Sequence, residues 1–303
     1  MHIKILLVIA AIIFSTVGCS EEESGREYID RSGRTVIINR PINRIVSTAP
    51  SNTEIITGLG IAHKLVAIDS YSANVPDIPQ GLVLLDFSFP DAEVLISLNP
   101  DIIIAHGHNP TGSGEDPFRV LREAGIPVAY ISMSRSIEDI YKDIAFIAEI
   151  LQEQERGDEL ITLMRSQIEE IKRQSAHIET RKTVYFEISA APEMFTFGRD
   201  SFLSDMISVI GAINIFENDN WIVMPSAESI IERNPDVIIT NVNYIDDPIG
   251  EIKSRPGFNH INAVINNRVY QIDTDSSVRP SQNIILTVRQ MAHAVYPELH
   301  EKP

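Results

Sequence analysis

The segment Pro90-Asp91-Ala92-Glu93-Val94-Leu95-Ile96-Ser97-Leu98-Asn99-Pro100-Asp101-Ile102-Ile103-Ile104 returns as Pro225-Ser226-Ala227-Glu228-Ser229-Ile230-Ile231-Glu232-Arg233-Asn234-Pro235-Asp236-Val237-Ile238-Ile239. Nine identities fall at one offset, 225 − 90 = 135 residues. Each copy has a physical reading. A proline suits the first turn of a helix, where its missing N–H is not needed. Glu93 and Glu228, near that start, favour the helix dipole. Asn-Pro-Asp ends the helix, and the Ile/Val run becomes a buried strand. A unit of this kind used twice predicts two similar α/β lobes with parallel sheets.

The chain between the copies is different. From Ile137 to His177 it has no proline and one glycine, Gly157. Leu160, Met164, Ile168 and Ile171 share one helical face. A helix from about Glu153 to Ala176 would be roughly 36 Å long at 1.5 Å per residue, enough to run beside both lobes as a rigid linker. Before it, Tyr28 to Ile38 reads as a hairpin turning at Ser32-Gly33, and Ile45–Ser47, Ile102–Ala105 and Val128–Ile131 read as strands. After it, strands are expected near Thr183–Ile188, Val237–Thr240 and Arg268–Ile272.

The front of the chain reads as an address. His2 and Lys4 precede an apolar run, Ile5 to Phe14, too short for a comfortable membrane span and suited to a secretory signal. Small residues then lead to Cys19, the single cysteine, which excludes an internal disulfide and a cysteine-rich metal site. Ser20 to Gly25, with three glutamates, reads as a flexible tether. The organisation expected is a signal peptide (1–18), a tether (19–26), a first lobe (27–150), a backbone helix (151–178) and a second lobe (179–303). The formal charge of −17 disfavours nucleic acid and anionic membrane surfaces as partners.

The duplicated helix–Asn-Pro-Asp–strand unit, Arg44-Ile45-Val46-Ser47, Arg255-Pro256-Gly257-Phe258 and Arg268-Val269-Tyr270 together resemble the solute-binding proteins of iron-siderophore, haem and cobalamin ABC importers. The resemblance covers nearly all of the chain after Glu27. It implies the class III periplasmic-binding-protein fold, two lobes on one rigid interdomain helix. The residues before Cys19 resemble a lipobox, with Thr16 where the pattern usually has Leu. That implies cleavage, lipidation of Cys19 and an extracytoplasmic, membrane-anchored location. A permease dimer with its ATPase is the implied partner of a monomeric protein with no permanently bound cofactor.

Within the family the cobalamin-binding members match best. That likeness places Tyr71, Phe87, His106, Phe195, Trp221, Asp275 and Arg279 in a ligand cleft, Phe87 and His106 standing where those members have Trp. The implied ligand is a cobalt corrinoid, with an iron chelate such as haem or a ferric siderophore as the alternative. Stiff aromatic walls suit a large flat ligand, and Arg279 could hold a carboxylate, amide or phosphate oxygen. Glu93 and Glu228 are the implied permease-docking pair, one per lobe.

Several residues have competing readings. Ser51-Asn52-Thr53-Glu54 reads as a capping box, which accounts for Glu54 without a site. His106 and His108 are either loop residues or a metal pair, and no metal site is assigned. Arg199 could reach ligand, pair with Asp200 or cap a strand end. Gly112-Ser113-Gly114 reads as a mobile loop. No catalytic residues are assigned: His-Glu-x-x-His, Gly-x-Ser-x-Gly and a catalytic cysteine are missing from the sequence. The acidic pair Asp246-Asp247 and the His-x-His pair are the only support for a hydrolase.

Overall fold

The computed structural model describes residues 25–107 and 116–300. Strands β1 (Arg26–Ile29) and β2 (Thr35–Ile38) form the antiparallel hairpin, with Gly33 at a φ of 83° in its turn. Asp30 holds that turn by accepting from the Ser32 and Arg34 amides, and it also accepts from the Tyr130 amide.

Five strands make the first sheet: β3 (Ile45–Ser47), β4 (Leu65–Asp69), β5 (Val83–Leu85), β6 (Ile102–His106) and β7 (Val128–Ile131). Their order is β5-β4-β3-β6-β7, and all pairs are parallel. Helices α1 (Pro50–Gly58), α2 (Ala92–Ser97) and α3 (Arg119–Glu123) lie among these strands in sequence. Two longer helices follow, α4 (Ile137–Ile150) and α5 (Gln154–Ser175).

The second lobe repeats the plan. Its strands are β8 (Thr183–Glu187), β9 (Thr196–Phe197), β10 (Ile213–Asn214), β11 (Ile222–Val223), β12 (Val237–Thr240) and β13 (Val269–Gln271). The sheet β10-β8-β12-β13 is parallel throughout, and β9 and β11 form a small antiparallel pair. Its helices are α6 (Phe202–Val209), α7 (Ala227–Arg233), α8 (Pro248–Ser254), α9 (Asn262–Ile265), α10 (Thr274–Val278) and α11 (Ile284–Val295).

The repeat builds the same unit twice. Asn99 and Asn234 both sit at a φ of 42° where their helices stop, a left-handed conformation that asparagine tolerates. Asp101 then accepts from the Asn43 and Arg44 amides, and Asp236 from the Thr183 amide, so each copy stitches its strand to the neighbouring one. The prolines differ from expectation. The caps are Asp91 and Ser226, so Pro90 and Pro225 stand one residue outside the helix rather than in its first turn.

Alternate residues of the buried strands face different cores, as the pleat requires. Ile103 and Ala105 pack with Phe118, Leu121 and Tyr130, while Ile102 and Ile104 turn to the other face. In the second lobe Ile238 faces Tyr185 and Phe258, and Val237 and Ile239 face the other way. The faces bearing Ile102/Ile104 and Val237/Ile239 join one apolar cluster, with Ile144, Met164, Ile168 and Ile171 in the same cluster. One core therefore runs through both lobes.

The proline-free stretch holds two helices, α4 and α5. Gln152, at a φ of 62°, turns the chain between α4 and α5. The lone glycine explains how closely they pack: a Cβ on Gly157 would stand 2.4 Å from that of Ala148. The predicted helix from about Glu153 to Ala176 is α5 within a residue at each end.

Candidate functional site

A cavity of about 470 Å³ lies between the lobes. Its position follows from the topology. In open parallel sheets the carboxyl ends of the strands leave a crevice where ligands sit. The first lobe's wall is built this way. Ala49, Pro50 and Ser51 follow β3, Tyr71 follows β4, Phe87 follows β5, His106 ends β6, and Met133 and Ser134 follow β7. In the second lobe Ile188 follows β8.

Each aromatic is set by local chemistry. Asp69, fully buried, accepts from the Tyr71 amide at 2.9 Å and from the Ser72 hydroxyl, closing the short turn that presents Tyr71. Burial pushes the Asp69 carboxyl above its usual range, against those hydrogen bonds. Tyr71 meets Phe87 edge to face, centroids 5.7 Å apart. His106 is 8% exposed. Across the cleft Phe197 and Trp221 pack at a tilt of 48° with centroids 5.2 Å apart, and the Arg135 guanidinium lies 4.8 Å from the centre of the Trp221 ring. Arg135 begins the approach to α4, so this cation–π contact bridges the lobes.

At the floor, the Arg279 guanidinium donates to Glu54 at 3.1 Å, the Tyr71 carbonyl at 3.1 Å and Asn74 at 3.0 Å, and pairs with Asp275 at 2.8 Å. Ser281 donates to the second Glu54 oxygen, and Asn74 donates to Asp275 at 2.6 Å. Glu54, Tyr71 and Asn74 belong to the first lobe, Asp275, Arg279 and Ser281 to the second. The cluster is an interlobe latch. Burial raises the Glu54 carboxyl above its ordinary value, although Ser281 and Arg279 pull it down.

The capping reading of Glu54 is therefore corrected. α1 starts at Pro50 with Ala49 at the cap and no side-chain cap bond, so Ser51 is already inside the helix. Glu54 lies in the second turn, 3% exposed, and reaches the other lobe. Sequence spacing alone had no means of showing a partner 225 residues away.

Of the seven expected cleft residues, six line the cavity: Tyr71, Phe87, His106, Trp221, Asp275 and Arg279. Phe195 does not; Phe197, two residues on and at the same pleat parity, lines it instead. Met133 and Phe202 also line it without having been singled out. The alternation of Phe195 and Phe197 was the signal available for one, and no local pattern marks the other two. Arg199 pairs with neither ligand wall nor Asp200; it donates to the Asn220 amide oxygen at 2.9 Å, steadying the strand pair beside Trp221. Asp247 caps α8 by accepting from the Gly250 amide at 2.8 Å. Arg255 forms a buried pair with Glu187, which ties the end of α8 to β8. Cys19, His108 and Gly112-Ser113-Gly114 lie outside the described residues. Among the described residues no cluster of His, Cys, Asp or Glu could hold a metal ion, and no helix is long and apolar enough to cross a membrane.

Residues 45–276 match the periplasmic binding protein family. The chain belongs to that family. It is 31% identical over 271 residues to an uncharacterized ABC transporter substrate-binding lipoprotein, YvrC, of Bacillus subtilis, covering 89% of this chain and 85% of that one. It is 25% identical over 244 residues to the vitamin B12-binding protein of Vibrio parahaemolyticus, covering 80% and 86%. A solved structure of a possible iron-binding periplasmic solute-binding protein from Staphylococcus epidermidis superposes with a TM-score of 0.76 at 30% identity, over 85% of this chain and all of that one. The chain is thus a substrate-binding protein of an ABC importer, a role exercised outside the cytoplasm with a permease and ATPase.

Proposed function

We propose that the cleft captures a cobalt corrinoid and hands it to a permease dimer. The single observation that carries this reading is the pair of facing aromatic sets, Tyr71 with Phe87 and Phe197 with Trp221, above a floor that holds an arginine. Flat macrocycles gain most from broad, stiff apolar walls with a few polar anchors. Likeness to vitamin B12-binding proteins at about one residue in four supports the same class. The lobes divide at 27–150 and 179–303 around the α5 region. Cys19 is the lipid attachment point, and Glu93 and Glu228, both exposed, are the docking carboxylates.

One observation favours a second reading. His106 sits at the carboxyl end of β6 inside the cavity, where an imidazole suits the iron of haem or another ferric chelate. The test is a titration of purified protein with cyanocobalamin, dicyanocobinamide, haemin and a ferric siderophore, read by absorbance, calorimetry and Trp221 emission. Tight binding of a corrinoid at one per chain supports the first reading. Tight binding of haemin with a His106-dependent Soret shift supports the second. Binding of none of the four refutes both.

A further inference from the structure

Phe89 and Met224 are 76% and 66% exposed, among the barest large apolar side chains of the described residues. They stand 224 − 89 = 135 residues apart, which is the repeat offset. A single bare apolar residue on a surface means little; two at equivalent places in two lobes are a different matter. Other bare residues lack such counterparts. At the same offset Tyr71 meets buried Met206, and Ile265 meets buried Tyr130.

The surroundings match as well. Phe89 and Met224 each precede a buried proline, then an exposed cap residue, then an intermediate alanine, then an exposed glutamate, Glu93 or Glu228. A residue before proline is held extended, which keeps both side chains clear of the helices that follow. The backbone beneath is fixed. Asp86 accepts from the Ser88 and Phe89 amides at 2.8 and 2.7 Å, and Met224 follows directly on β11. Neither residue lines the ligand cavity.

Resting on the docking role proposed for Glu93 and Glu228, we infer that Phe89 and Met224 are matched apolar anchors that seat the protein on its permease dimer. Each enters an apolar recess beside the cationic group that receives the neighbouring glutamate. A two-fold dimer presents one recess twice, and the duplicated lobe presents one knob twice. The anchors also supply what the carboxylates lack. An exposed ion pair is weak and screened by salt, whereas apolar burial at the centre of an interface is unscreened and carries most of the affinity. A lipid bilayer is the disfavoured alternative, because each anchor is four residues from an exposed carboxylate on a chain of net charge −17.

The experiment measures binding of the full protein to its permease–ATPase complex in lipid nanodiscs, over a range of salt, with empty nanodiscs of the same phosphatidylethanolamine–phosphatidylglycerol mixture alongside. The double variant Phe89→Ser/Met224→Ser should weaken binding by about tenfold or more at every salt concentration, with an unchanged salt slope. Phe89→Leu/Met224→Leu should restore most of it. Glu93→Gln/Glu228→Gln should instead flatten the salt dependence. Ligand affinity and melting temperature should be unaltered in the serine variant, since both sites are exposed and outside the cavity. Three results would overturn the inference. One is undiminished affinity in the serine variant while the glutamine variant fails, which leaves the docking role intact. Another is undiminished affinity in both variants, which removes the docking role too. The third is equal binding to empty nanodiscs that the serine variant loses, which assigns the anchors to lipid.

Discussion

Replacing Arg279 with alanine should destabilise the ligand-free protein more than any change to its partners. The side chains of Arg279 and Glu54 are 10% and 4% exposed. Removing the arginine leaves a buried carboxylate with hydroxyl and amide donors but without its cation. Stranding one member of a buried pair costs about 3–5 kcal/mol. The lower end applies, because Ser281 still donates to Glu54, and Asp275, with its side chain 41% exposed, can return to water. With a urea dependence of about 3 kcal/mol/M for a chain of this size, a loss of about 3 kcal/mol lowers the midpoint by about 1 M. Glu54→Gln keeps an acceptor for Arg279 and should cost only about 1 kcal/mol. The double variant should be more stable than Arg279→Ala alone, since glutamine removes the stranded charge.

The pH dependence follows with a definite sign. Burial already raises the Glu54 carboxyl, and loss of Arg279 removes a group that lowers it. A carboxyl raised in the folded state makes that state take up its proton at higher pH than the unfolded chain does. Its penalty is full above the folded value and fades as pH falls through that value toward the unfolded one. The deficit of Arg279→Ala should therefore be largest at neutral pH and shrink on mild acidification. Urea titrations at several pH values, followed by far-ultraviolet circular dichroism, test this. A midpoint shift below about 0.3 M, or a double variant no better than Arg279→Ala, would refute the latch.

Trp221→Ala should weaken ligand binding by about 1–3 kcal/mol and abolish the fluorescence response, and calorimetry on the variant measures the first directly. Binding should close the lobes by a small angle only, because one apolar core runs through both of them; a large compaction in small-angle scattering would contradict that. Asp116 contributes in the opposite sense to Glu54. Although burial pushes it up, bonds from Arg122, Tyr130 and Arg34 hold it at about 2, so its stabilisation is present above the ordinary carboxylate value and lost as pH falls toward 2. Asp116→Asn should accordingly lower stability at neutral pH and narrow the difference from wild type in acid. Exchanging both Glu93 and Glu228 for alanine should leave ligand affinity intact and sharply reduce transport and stimulated ATP hydrolysis.

Legibility in the sequence followed the range of the interactions involved. The repeat unit was readable because each part is local: an exposed acid near a helix start, an asparagine that can turn left-handed, an Ile/Val run that must be buried on both faces. The structure confirms the unit down to equal φ angles at Asn99 and Asn234. Where the reading slipped, it slipped by a residue or two along the same logic. Pro90 and Pro225 moved one place outside the helix, and Phe197 replaced Phe195 at the cavity with the same strand parity. The start of the long helix was placed within a residue, although neither glycine nor proline marks the turn at Gln152.

Glu54 is a miss of another kind. Ser51-Asn52-Thr53-Glu54 satisfies a local capping pattern completely, yet Pro50 at the first helical position starts the helix two residues too early for that pattern to operate. Glu54 is thereby left in the second turn with no local donor, on the face turned toward the other lobe. A carboxylate there is tolerable only if something distant meets it, and Arg279 and Ser281 do. The latch thus meets a need set by where Glu54 falls in α1. Pro50→Ala would not remove that need, because Glu54 would still face Arg279. It should lower stability by no more than about 1 kcal/mol, through the loss of a residue preorganised for the first turn. A loss as large as that of Arg279→Ala would show that Pro50, rather than the ion pair, holds the lobes together.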